Sequence, residues 1–356
     1  MSPRPAPVLI MAGGTGGHIF PGLAVAEELS RRGVPVLWLG AEGGLETRLV
    51  PQHGVRLETL SIGGLRGKGL ATLLRAPLRI LRAVCAARRV LRREAPRSAL
   101  SMGGYVAAPG GIAARLLGVP LVVHEQNAVA GATNRLLSRF ARRVLLGFAG
   151  ALPRGEWVGN PVRAGIANLP SPGERRSGRS GPLRILVLGG SQGARSLNLA
   201  VAGVLSDLPG GVPLVRHQCG ANGVDATREA YAAARVDAAI SPFIDDMSDA
   251  YAWADLAICR AGALTLAELA AAGVPAVLVP YPHAVDDHQT RNAEAMVAAG
   301  AACRVPEGDG FEARLATTLA GIASRDVLAR MADAAREFAR PDATTAIADA
   351  CLEVAR

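Results

Sequence analysis

Short apolar runs alternate with helix-compatible stretches along the whole chain. In the first half the runs fall at 8–12, 35–39, 55–60, 98–102, 119–124 and 143–148, with helical patterns at 19–32, 44–51, 78–93, 108–117 and 131–141 between them. Strand-length runs separated by helical periods predict βαβ units, hence a parallel sheet covered by helices. A second series repeats the pattern, with strands near 183–188, 213–218, 238–242, 256–260, 276–280 and 302–305 and helices near 195–206, 225–235, 246–254, 264–272, 287–299 and 311–323. Between the two series, 164–182 is rich in Pro, Gly, Ser and Arg and reads as an interdomain connection or an exposed loop. Pro341 breaks the tail, and 343–355 reads as a last helix.

The same kind of glycine-rich loop opens both series. Gly13-Gly14-Thr15-Gly16-Gly17-His18 follows the run Val8-Leu9-Ile10-Met11-Ala12, and Gly189-Gly190-Ser191-Gln192-Gly193-Ala194 follows Leu183–Leu188. Glycines let bare backbone approach an anion, and the N–H groups of a helix start bind it. A tight strand-to-helix turn needs glycine in any case. Two such loops about half a chain apart predict two α/β domains facing each other across a cleft.

Composition narrows the class. The 356 residues suit two domains, and half of them are hydrophobic. No apolar stretch approaches the ~20 residues that span a bilayer, and the N-terminus lacks the apolar core of a signal peptide. Cys85, Cys219, Cys259, Cys303 and Cys351 are scattered, and read as thiols of a reducing cytoplasm with no zinc site. The charge is lopsided: residues 1–160 hold 21 Arg and Lys against 8 Asp and Glu, whereas the remainder holds 18 against 22. That asymmetry turns the first half toward an anionic surface or polymer.

Several segments carry candidate chemistry. His18 stands at the mouth of the first strand, and ligands bind at the carboxyl ends of parallel strands. It reads as a residue beside a reacting or phosphate oxygen, or as a histidine that orders the turn. In Arg260-Ala261-Gly262-Ala263-Leu264-Thr265-Leu266-Ala267-Glu268 the N–H groups at 263–265 can hold a pyrophosphate and Arg260 can add charge-assisted hydrogen bonds. Glu268, one turn in, can accept both hydroxyls of a ribose. The same residues also make an ordinary capped helix start. In Asp286-Asp287-His288-Gln289 with Asn292, Gln289 and Asn292 are favoured for reading sugar hydroxyls, and Asp245-Asp246 for capping a helix rather than holding a metal. Tyr105, after Gly103-Gly104, and Glu125, in His124-Glu125-Gln126-Asn127, end apolar strands on the rim of the first loop; they are candidates for an acceptor side, or carry loop chemistry only.

Residues 66–97 hold ten basic side chains against one acid, Glu94. Leu70, Leu73, Leu74, Leu78, Leu81 and Val84 recur at near-helical spacing, with Arg75, Arg79 and Arg82 between them. Such a stripe suits an anionic membrane surface. It equally suits a helix that buries its leucines in the core and solvates its arginines.

At these residues the chain resembles glycosyltransferase family 28, and within it the N-acetylglucosaminyltransferases of peptidoglycan synthesis. The resemblance runs through Gly13–Ala26, Ser61–Gly69, Gly103–Val106, His124–Asn127, Val158-Gly159-Asn160-Pro161-Val162-Arg163, Gly189–Arg195, Phe243-Ile244-Asp245-Asp246-Met247 and Cys259–Thr265, in order over essentially the whole chain. It implies a GT-B fold of two Rossmann-like, doubly wound parallel-sheet domains. Residues 1–161 with the helix 341–356 would form the acceptor and membrane side, and 162–340 would bind UDP-GlcNAc. It implies transfer of GlcNAc from UDP-GlcNAc to the 4-hydroxyl of the muramoyl sugar of lipid I, undecaprenyl-pyrophosphoryl-MurNAc-pentapeptide, giving lipid II by one inverting displacement without a cofactor. The donor contacts would be Thr15, Gly16, Gly17, Asn127, Arg163, Ser191, Ile244, Ala263, Leu264, Thr265, Glu268 and Gln289. Among them Ile244 would meet uracil through its backbone, Ser191, Leu264 and Thr265 the pyrophosphate, and Glu268 the ribose. His18 would be the base. With no metal-ligand spacing in the chain, helix N-termini and Arg163 or Arg260 would stabilise the leaving pyrophosphate. Leu74, Arg75, Leu78, Arg79, Leu81 and Arg82 would dock the enzyme on anionic lipid at the cytoplasmic face of the inner membrane.

Two other classes weigh against this one. A nicotinamide-type oxidoreductase would want GxGxxG, and Gly14-Thr15-Gly16-Gly17-His18 is not that form. A nucleic-acid binder is suggested by the pI of about 10.1. However, only 4% of residues are aromatic and the basic segment is interleaved with leucines, so no nucleic-acid partner is expected.

Overall fold

The computed structural model describes residues 5–63, 76–190 and 193–355. The chain divides into two compact units, Met1–Pro161 with Pro341–Arg356, and Val162–Arg340.

The first unit holds β1 (Val8–Ala12), β2 (Val36–Ala41), β3 (Arg56–Leu60), β4 (Ser98–Gly103), β5 (Leu121–Glu125), β6 (Arg143–Leu146) and β7 (Glu156–Trp157), in the order β3-β2-β1-β4-β5-β6-β7. Every pairing is parallel. Both faces of a parallel sheet are covered, so its central strands are apolar throughout. Val8, Ile10 and Ala12 pack with Ile19, Leu23 and Leu29 of the helix Gly16–Arg31 and with Ile347 and Cys351 of the last helix, Ala343–Glu353. Leu9 and Met11 point the other way, against Ala87, Val90 and Leu91 of Ala76–Glu94 and Ala113 of Ala107–Leu116. The last helix is tied to the first unit by ion pairs as well: Arg32 to Asp349 at 2.5 Å and Arg143 to Glu353 at 3.0 Å.

The second unit holds β8 (Arg184–Leu188), β9 (Leu214–Gln218), β10 (Ala238–Ser241), β11 (Leu256–Cys259), β12 (Ala276–Leu278) and β13 (Ala302–Arg304), all parallel, in the order β10-β9-β8-β11-β12-β13. Both sheets thus follow the doubly wound order. The strand order reverses between β1 and β4 in one and between β8 and β11 in the other, and a crevice at the carboxyl ends of such a pair is where these sheets bind ligands.

Three features depart from the sequence expectations. β7 is two residues long, too short to leave a period-2 signal. The helix Arg325–Phe338 is capped by Ser324, whose hydroxyl accepts the Val327 N–H, and lies in a stretch without an assigned element in the sequence. Residues 164–182 are a packed strap rather than a loose connection. They contain the helices Ala164–Ala167 and Pro172–Arg176, the second with a Ser171/Glu174 capping box. Arg175 donates to Tyr251 O at 3.0 Å and to Ala272 O, and Arg179 donates to Ala252 O at 2.8 Å and to Asp255 Oδ1 at 3.0 Å. The carbonyls belong to the last turns of two helices, where unpaired oxygens and the helix dipole both favour a cation. The arginines of the segment are what fasten it.

Candidate active site

In the first unit β1 ends at Ala12 and the chain turns through Gly13 and Gly14 into the helix Gly16–Arg31. Thr15 is its extended N-cap and makes no side-chain cap bond. Beside it the register of β1 on β4 slips at Ala12, which pairs with Gly103. Gly104 (φ +83°) approaches so closely that a Cβ there would lie 2.3 Å from Gly13 O. This close approach packs one loop on another. His18 lies half-buried over Gly103: a Cβ on Gly103 would stand 3.1 Å from His18 Cδ2. The Thr15 hydroxyl is 3.2 Å from His18 Nδ1. Tyr105 covers Gly14, and burial with the nearby Glu46 charge pushes its phenol up, so it remains a donor.

Of the two readings of Glu125, acceptor side or loop chemistry, its partners here are those of the loop. It is 2% exposed, and its carboxylate accepts the Asn127 N–H at 3.1 Å, the Gly131 N–H at 3.1 Å and Asn134 Nδ2 at 3.0 Å. It is the internal anchor of the loop that bears Asn127. Asn134 continues the network, accepting from Ser101 Oγ at 2.8 Å and donating to His124 O at 3.0 Å. His124 itself is fully buried; Nε2 donates to Gly159 O at 2.9 Å and Nδ1 accepts from Gln126 Nε2 at 3.0 Å. Burial pushes it down to about 4, so it is neutral.

In the second unit the glycine loop after β8 is held by Gln218. Its Oε1 accepts the Gly190 N–H at 3.0 Å, and its Nε2 donates to Gly190 O at 3.0 Å and Pro242 O at 2.9 Å. Ser191 lies outside the described residues. After β11 the helix Ala263–Ala272 starts at extended Gly262 with no side-chain cap. The N–H groups of Ala263, Leu264 and Thr265 therefore have neither an intrahelical nor a capping acceptor, the arrangement that binds a phosphate. One turn on, Glu268 is prepared from both sides: Oε2 accepts the Tyr251 hydroxyl at 3.0 Å, and Oε1 accepts Arg163 Nε at 3.1 Å and Nη2 at 2.9 Å. Burial, with the Glu268 charge behind it, pushes the Tyr251 phenol far up, so Tyr251 is a fixed donor. Arg163 is more than half exposed and is the movable partner.

Arg260 does not reach toward the helix start. Its Nη1 pairs with Glu307 Oε2 at 2.5 Å and donates to Val279 O at 3.2 Å, its Nη2 donates to Ser196 Oγ at 3.2 Å, and the guanidinium lies over the Tyr281 ring. It braces the ends of the strands in this arrangement. Gln289 is half-buried, and its Oε1 accepts the Tyr281 N–H at 2.9 Å. Asn292, expected to read a sugar, is fully buried and donates to Ala261 O at 3.2 Å, holding the loop before the helix start. Asp246 caps its helix as expected, accepting the Asp249 N–H at 3.0 Å. Ile244 is half-buried next to the exposed Phe243. Glu46, Gln218, Asn134 and Tyr251, which hold these loops and side chains, carry no local sequence signal.

Among the described residues no three His, Cys, Asp or Glu side chains gather as a metal site, and no helix is long and apolar enough to cross a membrane. On the helix Ala76–Glu94, Leu78 and Leu81 are 51% and 59% exposed, and Arg79 and Arg82 are exposed with them. Val84, Ala87, Val90 and Leu91 are buried. The core reading thus holds for the later turns of the helix and fails for the first ones. Leu70, Leu73, Leu74 and Arg75 lie outside the described residues.

Two Rossmann-like parallel-sheet domains, each with a glycine loop at its switch point and one with an uncapped helix start beside a poised carboxylate, define a GT-B glycosyltransferase. The chain belongs to glycosyltransferase family 28: the family's N-terminal domain matches residues 8–146 and its C-terminal domain matches 184–347. It is 59% identical, over 98% of its length and 82% of theirs, to a protein of Xanthomonas campestris pv. campestris named UDP-N-acetylglucosamine–N-acetylmuramyl-(pentapeptide) pyrophosphoryl-undecaprenol N-acetylglucosamine transferase. A protein of the same name from Xylella fastidiosa is 58% identical over 98% of this chain and 96% of its own. The crystal structure of Acinetobacter baumannii MurG superposes with a TM-score of 0.85 at 41% identity, covering 98% of this chain and all of that one. The glycotransferase of kitacinnamycin, at 18% identity and a TM-score of 0.73, shares the fold.

Proposed function

We propose that this chain transfers N-acetylglucosamine from UDP-GlcNAc to the 4-hydroxyl of the N-acetylmuramoyl sugar of undecaprenyl-pyrophosphoryl-MurNAc-pentapeptide, by a single inverting displacement. The observation that carries the reading is the uncapped start of Ala263–Ala272 with Glu268 one turn inside it, in a chain whose relatives are named for this transfer. The N–H groups at 263–265 and the Arg163 guanidinium bind the pyrophosphate and stabilise the charge that develops as UDP leaves. Glu268 accepts the ribose hydroxyls, and Arg163 is released from it toward the phosphates. Ile244 meets uracil through its backbone, while Gln289, Asn127 and the Thr15–Gly17 turn contact the sugar side. His18 takes the proton of the attacking hydroxyl.

The direct test incubates the purified protein with UDP-GlcNAc and a short-chain lipid I. The expected product is heavier by one N-acetylhexosamine, with one UDP released per transfer; no transfer overturns the reading. Glu268→Ala is expected to weaken UDP binding roughly ten- to hundredfold in calorimetry. Charged hydrogen bonds of the kind it makes are worth on the order of 1.5–3 kcal/mol. Unchanged UDP affinity would remove Glu268 from the site.

The acceptor's lipid chain stays in the bilayer, so the enzyme acts at the membrane. We assign docking to the exposed turns around Leu78–Arg82, on a unit whose first 160 residues carry the +13 excess. Basic residues near an anionic surface contribute ~1 kcal/mol each. Arg79→Glu with Arg82→Glu alters no buried residue, so it is expected to lower binding to anionic vesicles about tenfold or more while activity on a short-chain acceptor persists. Equal vesicle binding by variant and parent would sink the assignment.

A further inference from the structure

Beneath the first glycine loop lies a fully buried carboxylate that the reaction as described does not use. Glu46 is 0% exposed, and among the described residues no lysine, arginine or histidine forms an ion pair with it. Instead Oε1 accepts the Ala41 N–H at 2.8 Å and Oε2 accepts the Gly14 N–H at 3.3 Å. Three glycines clear its place: a Cβ at Gly13, Gly40 or Gly44 would come within 2.3, 2.6 or 2.5 Å of the Glu46 side chain. Buried charge without a cation is tolerated only when hydrogen bonds hold it, and here a glycine at each of three approaches keeps it at one spot.

The loop on top of this carboxylate carries His18. Glu46 fixes the Gly14 peptide from one side, Gly104 closes on Gly13 O from another, and Oγ1 of the next residue, Thr15, lies 3.2 Å from His18 Nδ1. The corresponding donor of the second loop, the Gly190 N–H, is held by the neutral carboxamide of Gln218. Two loops of the same pattern are thus anchored in the same way, one by a charge and the other by a dipole.

We propose that Glu46 is the positioning residue of His18: through the Gly14 N–H it sets the Gly13–Thr15 turn and so the direction of the imidazole. It touches neither sugar nor phosphate. The proposal rests on the transfer reading and on His18 as the base.

Glu46→Gln is nearly isosteric but leaves one of the two backbone N–H groups facing an amide NH2. With the short-chain acceptor, kcat per folded molecule is expected to fall about ten- to hundredfold, the size of a small displacement of a catalytic group. UDP dissociation should stay within about twofold, because the ribose and pyrophosphate groups lie in the other unit. The His18 imidazole resonances should shift in NMR spectra of the variant. A loss of thermal stability with kcat per folded molecule and His18 resonances unchanged means that Glu46 only supports the fold, and overturns the proposal. If the Gln variant does not fold, Glu46→Asp, which keeps the charge and both acceptors but draws them back by one methylene, is held to the same expected and overturning results. Absence of transfer by the parent protein would instead defeat the transfer reading, while the His18 resonances of parent and variant still decide whether Glu46 orients the ring.

Discussion

Replacing His18 by alanine is expected to lower kcat about 10²- to 10⁴-fold, the usual contribution of a positioned general base, with UDP affinity unchanged. The expectation rests on place and orientation. The imidazole stands at the switch point of the first sheet, over Gly103, whose missing side chain makes room for the ring, and with Thr15 Oγ1 3.2 Å from Nδ1. The proposed UDP contacts, Glu268 and the helix start, lie in the second unit, so the two readouts separate. Single-turnover transfer on preformed UDP-GlcNAc complex checks it. A kcat within threefold of the parent would return His18 to the role of a residue that orders the turn.

Acidification between about pH 6.5 and 4 is expected to destabilise both units before their carboxylates protonate. Each unit buries one neutral histidine. His124 is held by Gly159 O and Gln126, and His217 by the Tyr231 hydroxyl at 3.0 Å on Nδ1 and Asn198 Oδ1 at 3.1 Å on Nε2. Burial pushes both down to about 4, from 6.5 in the unfolded chain. In that interval the unfolded chain binds more protons than the folded one, so stability is complete above about 6.5, falls with pH, and levels off below about 4. At 1.36 kcal/mol for each pKa unit, the loss approaches about 3 kcal/mol per histidine. Glu28 and Glu94, held below their usual range by arginines, act in the opposite sense of charge but the same direction of stability, and only below about 4.5. Denaturant unfolding at pH 7, 5.5 and 4.5 separates the two windows. A midpoint that does not move between pH 7 and 5 would mean that the buried histidines protonate without cost.

The architecture was legible in the chain because its signals are local. A strand buried on both faces is a short apolar run, a crossover helix has its own period, and the turn between them must break into glycine. These sufficed for every strand but β7, for both glycine loops, for the helix start at 263–265 and for the cap at Asp246. Where the sequence was silent, the deciding contact is distant. The partner of Arg260 is Glu307, 47 residues on. Glu125 has two readings in the sequence, and the turn to Asn134 folds back on it. The segment 164–182 reads as a connection or an exposed loop, whereas helix carbonyls some 70 to 100 residues away receive Arg175 and Arg179.

The sequence by itself therefore determined two doubly wound domains, their switch-point loops and the residue types available there. Only the tertiary structure decided which partner each of those side chains takes. A charged or amide side chain takes the partner that geometry brings within about 3 Å. For Glu46 and Gly14, 32 residues apart, and for Arg163 and Glu268, 105 apart, that geometry exists only once the sheets have formed.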